Sequence, residues 1–109
     1  MNIEDIQDAV RNGRYRVTNH AREEARDDRI TVRELVDSVL SGEIIEEYLD
    51  DRPHPSCLIY GRTSEAEPVH GVWAYDAEMS LAILVTIYRP DPAPWIDWQI
   101  RRPKDDGSE

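Results

Sequence analysis

The hydrophobic pattern changes period at Gly42, and this change restricts the fold more than any other feature of the chain. Before it, Val32, Leu35, Val36, Val39 and Leu40 recur at helical spacing, which defines a single apolar face. Thr31 and Glu34 supply a capping box at the start of that helix, with Glu34 able to reach back to the Thr31 amide. After Gly42 the apolar residues gather in short runs between prolines, glycines and acidic turns: Ile44 to Leu49, Cys57 to Gly61, Val69 to Tyr75 and Leu81 to Tyr88. An apolar helix face must cover something, and the strands that follow it provide the surface. The expected fold is α+β, with N-terminal helices packed on a four-stranded antiparallel sheet.

Two shorter helices precede this one. Ile3, Ile6 and Val10 follow Asn2 at helical spacing and stop at Asn12-Gly13. A second helix runs from about Asn19 to Asp28, with Thr18 or Asn19 as its N-cap. Leu81 to Tyr88 is apolar throughout except for Thr86 and Tyr88, so it reads as a central strand buried on both faces. Pro90, Pro92 and Pro94 end regular structure, Trp95, Ile96 and Trp98 dock the tail on the body, and residues 103–109 form a mobile end. With 109 residues this amounts to one domain, residues 1–102, around one core.

The lone Cys57 excludes an intrachain disulfide and reads as a small core residue. Acid at the N-terminus, where a signal peptide needs base, and the absence of a run of ~18 apolar residues imply a cytoplasmic protein without a membrane segment. With Lys+Arg 13 against Asp+Glu 23, the net charge of −10 argues against non-specific binding to a polyanion over most of the surface. Nucleic acid would engage locally, and one region suits it: residues 11–33 hold seven arginines against four carboxylates, leaving six basic and nineteen acidic side chains elsewhere.

Within that region His20 falls in the first turn of the second helix, where the positive end of the dipole disfavours imidazolium and leaves a ring able to accept a proton. Arg22 and Arg26 share a face beside it, while Ala21 and Ala25 form a narrow apolar strip. The run reads either as a phosphate-handling cluster or as a solvated helix face whose arginines pair with Glu23, Glu24 and Asp27. A second polar group is set by strand register. Taking residues 76–80 as the hairpin loop pairs Tyr75 with Leu81 and sets His70 opposite Thr86, and the turn at residues 63–67 sets Tyr60 opposite His70. Tyr60, His70, Thr86 and Tyr88 then form a polar patch on an otherwise apolar sheet, either as satisfied core residues or as part of a site. His54, Cys57 and His70 do not offer the spacing of a metal site, and no metal or cofactor is expected. There is no Gly-rich phosphate loop, no G-x-S-x-G and no H-E-x-x-H.

Several short motifs occur in a fixed order. They are Tyr15, Thr18, His20-Ala21 and Arg29-Ile30-Thr31; Gly42-Glu43-Ile44-Ile45-Glu46 with Tyr48; Pro55-Ser56-Cys57-Leu58 with Gly61; Pro68-Val69-His70; and Thr86-x-Tyr88-x-Pro90 with Trp95. In this order the chain resembles a bacterial family catalogued as a domain of unknown function and grouped with barnase, EndoU, colicin and RelE-like nucleases. The resemblance implies a RelE/barnase-like α+β fold, with a histidine on an N-terminal helix and a Thr-x-Tyr pair on the last strand, here His20, Thr86 and Tyr88. It also implies a toxin-like, metal-independent endoribonuclease of the mRNA interferase kind. Its partners would be RNA, on or off the ribosome, and an antitoxin protein of zinc-finger type. On that reading His20 or His70 takes the 2′-hydroxyl proton, the other or Tyr88 protonates the leaving oxygen, Thr86 completes the site, and Arg22, Arg26 and Arg29, with Tyr60, hold the RNA. The alternative is a non-catalytic acidic module on the same scaffold that binds a basic protein partner, an option that the net charge of −10 supports.

Overall fold

Asn2, Thr18 and Thr31 each start a helix by accepting an amide that the first turn leaves unpartnered. In the computed structural model, which describes residues 1–103, the helices are α1 (Ile3–Arg11), α2 (Asn19–Asp27) and α3 (Val32–Leu40). The end expected to be mobile lies outside the described residues from 104 onward. The capping box forms as its sequence suggests: the Thr31 hydroxyl takes the Glu34 amide at 3.1 Å and Glu34 takes the Thr31 amide at 3.0 Å. α1 and α2 close with the same pair of bonds, Arg14 to Ala9 and Ile30 to Ala25, both 2.7 Å between amide nitrogen and carbonyl oxygen.

The strands are β1 (Tyr15–Val17), β2 (Glu43–Tyr48), β3 (Ser56–Arg62), β4 (Pro68–Asp76) and β5 (Leu81–Tyr88), in the sheet order β1-β5-β4-β3-β2. From β2 to β5 the sheet is the expected antiparallel meander. The sheet is nevertheless five-stranded and mixed rather than four-stranded and antiparallel, because β1 joins the edge of β5 in parallel, Tyr15 against Ala82. Three residues are too few to show alternation, so β1 reads in sequence only as the approach to α2. Beyond β5, β6 (Trp95–Ile96) and β7 (Ile100–Arg101) pair as a separate small ribbon. Among the described residues no helix is long and apolar enough to cross a membrane.

Tyr60 faces His70 as the register count gives. The β4–β5 register differs from the expectation: His70 pairs with Tyr88 and Thr86 with Val72. Two one-residue effects add up here. The hairpin is one residue tighter, pairing Asp76 with Leu81, and a β-bulge between Leu84 and Thr86 leaves Val85 without a partner. Two slips restore the original face, so His70 stays on the same side as Tyr88.

The core lies between the helices and one face of the sheet, where Ile6, Ala21, Leu35 and Val39 meet Cys57, Ile59, Val69, Trp73, Leu84 and Ile87. α3 approaches β3 so closely that a Cβ on Gly61 would lie 1.7 Å from the Ser38 carbonyl oxygen. Alternation sends Tyr60, His70 and Tyr88 to the opposite face. There Trp95, 4% exposed, closes over them, docking the tail as expected.

Candidate functional site

The sequence-selected residues fall into two groups that meet on β5. In the first group, His20 stands on the first turn of α2 with its side chain 69% exposed, and Nε2 lies 3.2 Å from Oε1 of Glu24 one turn on. The same carboxylate oxygen accepts from the Thr86 hydroxyl and, at 3.2 Å, from the Ile87 amide. Glu24 thus ties the histidine of the helix to the threonine of the strand. The helix is fixed in place because Thr18, its N-cap, also donates to the Val85 carbonyl at 3.1 Å, and the Thr18 amide donates to Leu84 at 3.1 Å.

In the second group, His70 is 0% exposed. Its Nε2 is 2.5 Å from the Trp98 carbonyl, an acceptor only, so this nitrogen carries the proton, and Nδ1 accepts from the Tyr88 hydroxyl at 3.1 Å. The ring meets Trp95 edge-on at 4.5 Å and Tyr60 edge-on at 6.0 Å. Burial pushes the imidazole below its ordinary value of 6.5, against the bond to Trp98 and the field of Glu46, which favour the charged form. Burial likewise raises the Tyr88 phenol. The covering segment is latched at its far end, where Arg101 pairs with Glu46 at 2.6 Å and lies over the Trp95 ring at 4.7 Å. Glu46 also accepts from the Tyr48 hydroxyl, whose pKa is pushed up to about 12 by burial and by that carboxylate.

The structure therefore joins His20 to Thr86 through Glu24, and His70 to Tyr88 and Tyr60. Thr86 and Tyr88 are two residues apart, roughly 6.6 Å along the strand. The first group opens to solvent, whereas in the second His70 is sealed and Tyr88 is half-buried. Arg22 and Arg26 are exposed, but they border a groove with Ala25, Ile30 and Leu35. Helical spacing puts them across the buried Ala21 stripe from His20, whose own face carries Glu23, Glu24 and Asp27. Arg29 is exposed at the end of α2 in the left-handed conformation, φ 55. Tyr60 is 6% exposed and lies under the Arg62 guanidinium at 5.5 Å.

Glu24 went unrecognised in the sequence as a link to the sheet, although its spacing of four from His20 was visible. Arg89 also carried no signal: it donates to the carbonyls of Asp28 and Arg29 at 3.0 and 3.1 Å and pairs with Glu34 and Glu67 at 3.3 Å each, tying α2 and α3 to the end of β5.

These elements define a small α+β domain with a mixed sheet, a solvent-facing His–Glu–Thr cluster on one flank and, beside it, a buried His70 bonded to a half-buried Tyr88. The chain belongs to the family described as a domain of unknown function, DUF4258, whose sequence profile matches residues 17–89. That span holds both polar groups and leaves α1 and the covering segment outside it. No curated protein and no solved structure matches the chain.

Proposed function

We propose that this protein is a metal-independent endoribonuclease, the toxin-like component of a toxin–antitoxin pair, with its chemistry at His20. The single observation that carries this reading is the link from exposed His20 through Glu24 to Thr86, which joins the helix histidine and the strand hydroxyl of the resemblance. Glu24 lies 3.2 Å from Nε2, and the exposed ring in its neutral form serves as the proton acceptor. The 2′-hydroxyl of RNA gives its proton to the His20 imidazole, the 2′-oxygen attacks phosphorus, and the bond to the 5′-oxygen breaks. The products are a 2′,3′-cyclic phosphate and a 5′-hydroxyl that takes its proton from water. The Asn19 and His20 amides, which precede the two that Thr18 takes, meet the charge that develops on the phosphoryl oxygens. Thr86 acts as a positioning residue that holds Glu24, while His70 and Tyr88 hold the sheet and the C-terminal segment together.

The test is incubation of purified protein with RNA in EDTA, followed by analysis of the product ends. Cyclic-phosphate ends that disappear in His20→Ala, with fold intact by circular dichroism, support the reading; full activity in that variant removes His20 from the site. In cells, His20→Ala is expected to relieve growth inhibition. The sealing of His70 favours a second reading, a non-catalytic module that binds a basic protein partner. It gains if the protein binds such a partner but leaves RNA uncut.

A further inference from the structure

On the solvent side of the sheet lies a groove of about 280 Å³ whose lining includes Thr18, two residues before His20 in the chain. Its floor is apolar, made by Ala74, Ile83 and Val85, and its walls carry Arg16, Arg52 and His54. Alternation puts Val85 on this floor beside Ile83, and the β-bulge leaves it unpartnered and 37% exposed. The bulge also anchors the helix that bears His20, since the Val85 carbonyl accepts from Thr18, itself part of the groove lining.

The net charge of the side chains lining this groove is opposite in sign to that of the chain. In a chain of net charge −10, Arg16 and Arg52 are exposed and take no part in the side-chain ion pairs that Arg11, Arg89 and Arg101 form among the described residues. The one carboxylate in the lining, Asp51, accepts from the buried Ser56 hydroxyl at 2.5 Å. His54 is held with Nε2 3.6 Å from Asp76. Two guanidiniums without a carboxylate partner among the described residues, above an apolar floor, suit a ligand that joins a flat ring to a phosphate. Arginine binds phosphate through a planar fork of donors and stacks on aromatic faces, and both properties suit a nucleotide. The volume, near the roughly 300 Å³ lower end of ligand sites, accommodates about one nucleotide of a single strand and excludes a duplex.

We propose that this groove is a nucleotide subsite for single-stranded RNA, with a base on the Ala74, Ile83 and Val85 floor and its phosphate between Arg16 and Arg52. The strand would enter the reaction site past Thr18. This deepens the ribonuclease reading and rests on it for the identity of the ligand. The basic residues of this subsite are on β1 and the β2–β3 loop.

The test measures binding of a short, fluorescein-labelled oligoribonucleotide with 2′-O-methyl groups, which cannot be cleaved, by fluorescence anisotropy over a range of salt. Arg16→Ala and Arg52→Ala are each expected to weaken binding about tenfold and to reduce the slope of log K against log salt by about 0.7, the value for one lost phosphate contact on a single strand. The control Arg33→Ala should bind as the wild type does. Both arginines are exposed, and circular dichroism checks that the variants fold. Wild-type affinity in both arginine variants, or no binding of the oligonucleotide at all, overturns the subsite. Cleavage lost in His20→Ala but untouched in Arg16→Ala and Arg52→Ala also overturns the subsite and keeps the nuclease. Arginine-dependent binding without any cleavage keeps the subsite and removes the nuclease.

Discussion

Arg29 and Gly13 occupy the same position after their helices and share a left-handed backbone, φ 55 and φ 75, yet only glycine adopts it without steric cost. Arg29→Gly is therefore expected to raise stability by roughly 0.5–1 kcal/mol, read as a higher urea midpoint at unchanged m-value. An unchanged or lowered midpoint would mean that the arginine side chain makes a compensating contact. His70 gives a second residue-scale test. Its folded-state pKa is lowered by burial, so the unfolded chain binds this proton more readily than the folded one does. Stability from this group is complete above its ordinary value of 6.5 and falls as pH drops below that, toward the lowered folded value. The depressed Glu34 and Glu46 act only below their ordinary 4.5, leaving a window between about pH 6.5 and 5 in which His70 dominates. The melting temperature should decline through that window, and His70→Gln should flatten the decline. An equally steep decline in the variant would assign it to other groups.

At the scale of elements, what was legible in the sequence was local. Asn2, Thr18 and the Thr31–Glu34 box mark helix starts because a cap needs only three or four neighbouring residues, and Leu81–Tyr88 was bounded by its own apolar run. What escaped depends on contacts between distant segments. β1 is a strand only because β5 offers an edge, and the bulge at Val85 follows no local signal. The same division holds for the candidate site. His20 and Glu24 are visible as an i, i+4 pair, whereas Glu24 and Thr86 are 62 residues apart, and the sealing of His70 depends on Trp95 and Trp98 beyond three prolines. Glycine spacing also hides a requirement of packing: Gly61 looks like a strand end, but its missing side chain is what lets α3 lie on β3. Gly61→Ala is expected to cost about 3 kcal/mol or more, because the obstacle is the Ser38 carbonyl and backbone cannot rotate away as a side chain can. Thermal unfolding measures this, and a loss below about 1 kcal/mol would mean that the helix shifts on the sheet at little expense.

For the whole molecule, the decisive quantity is how far its charge is felt. The described residues span 49 × 32 × 23 Å, so at roughly 10 mM salt, where the screening length is about 30 Å, an approaching RNA meets the field of the entire acidic body. At about 150 mM the length falls to roughly 8 Å, and the strand meets only the charges beside it, including Arg16 and Arg52 above the apolar floor. Salt then has two opposite effects. It first removes the long-range repulsion that slows encounter, and at higher concentration it weakens the local phosphate contacts through the loss of counterion release. If the protein cleaves RNA at His20, its initial rate at low substrate should therefore rise between about 10 and 100 mM sodium chloride and fall beyond a few hundred millimolar. A basic nuclease, which attracts RNA at every distance, slows from the lowest salt onward. A steady fall from the outset in this protein would mean that the arginine-bearing flank outweighs a net charge of −10 even across the longest screening length, and that the acidic body does not oppose the approach of RNA.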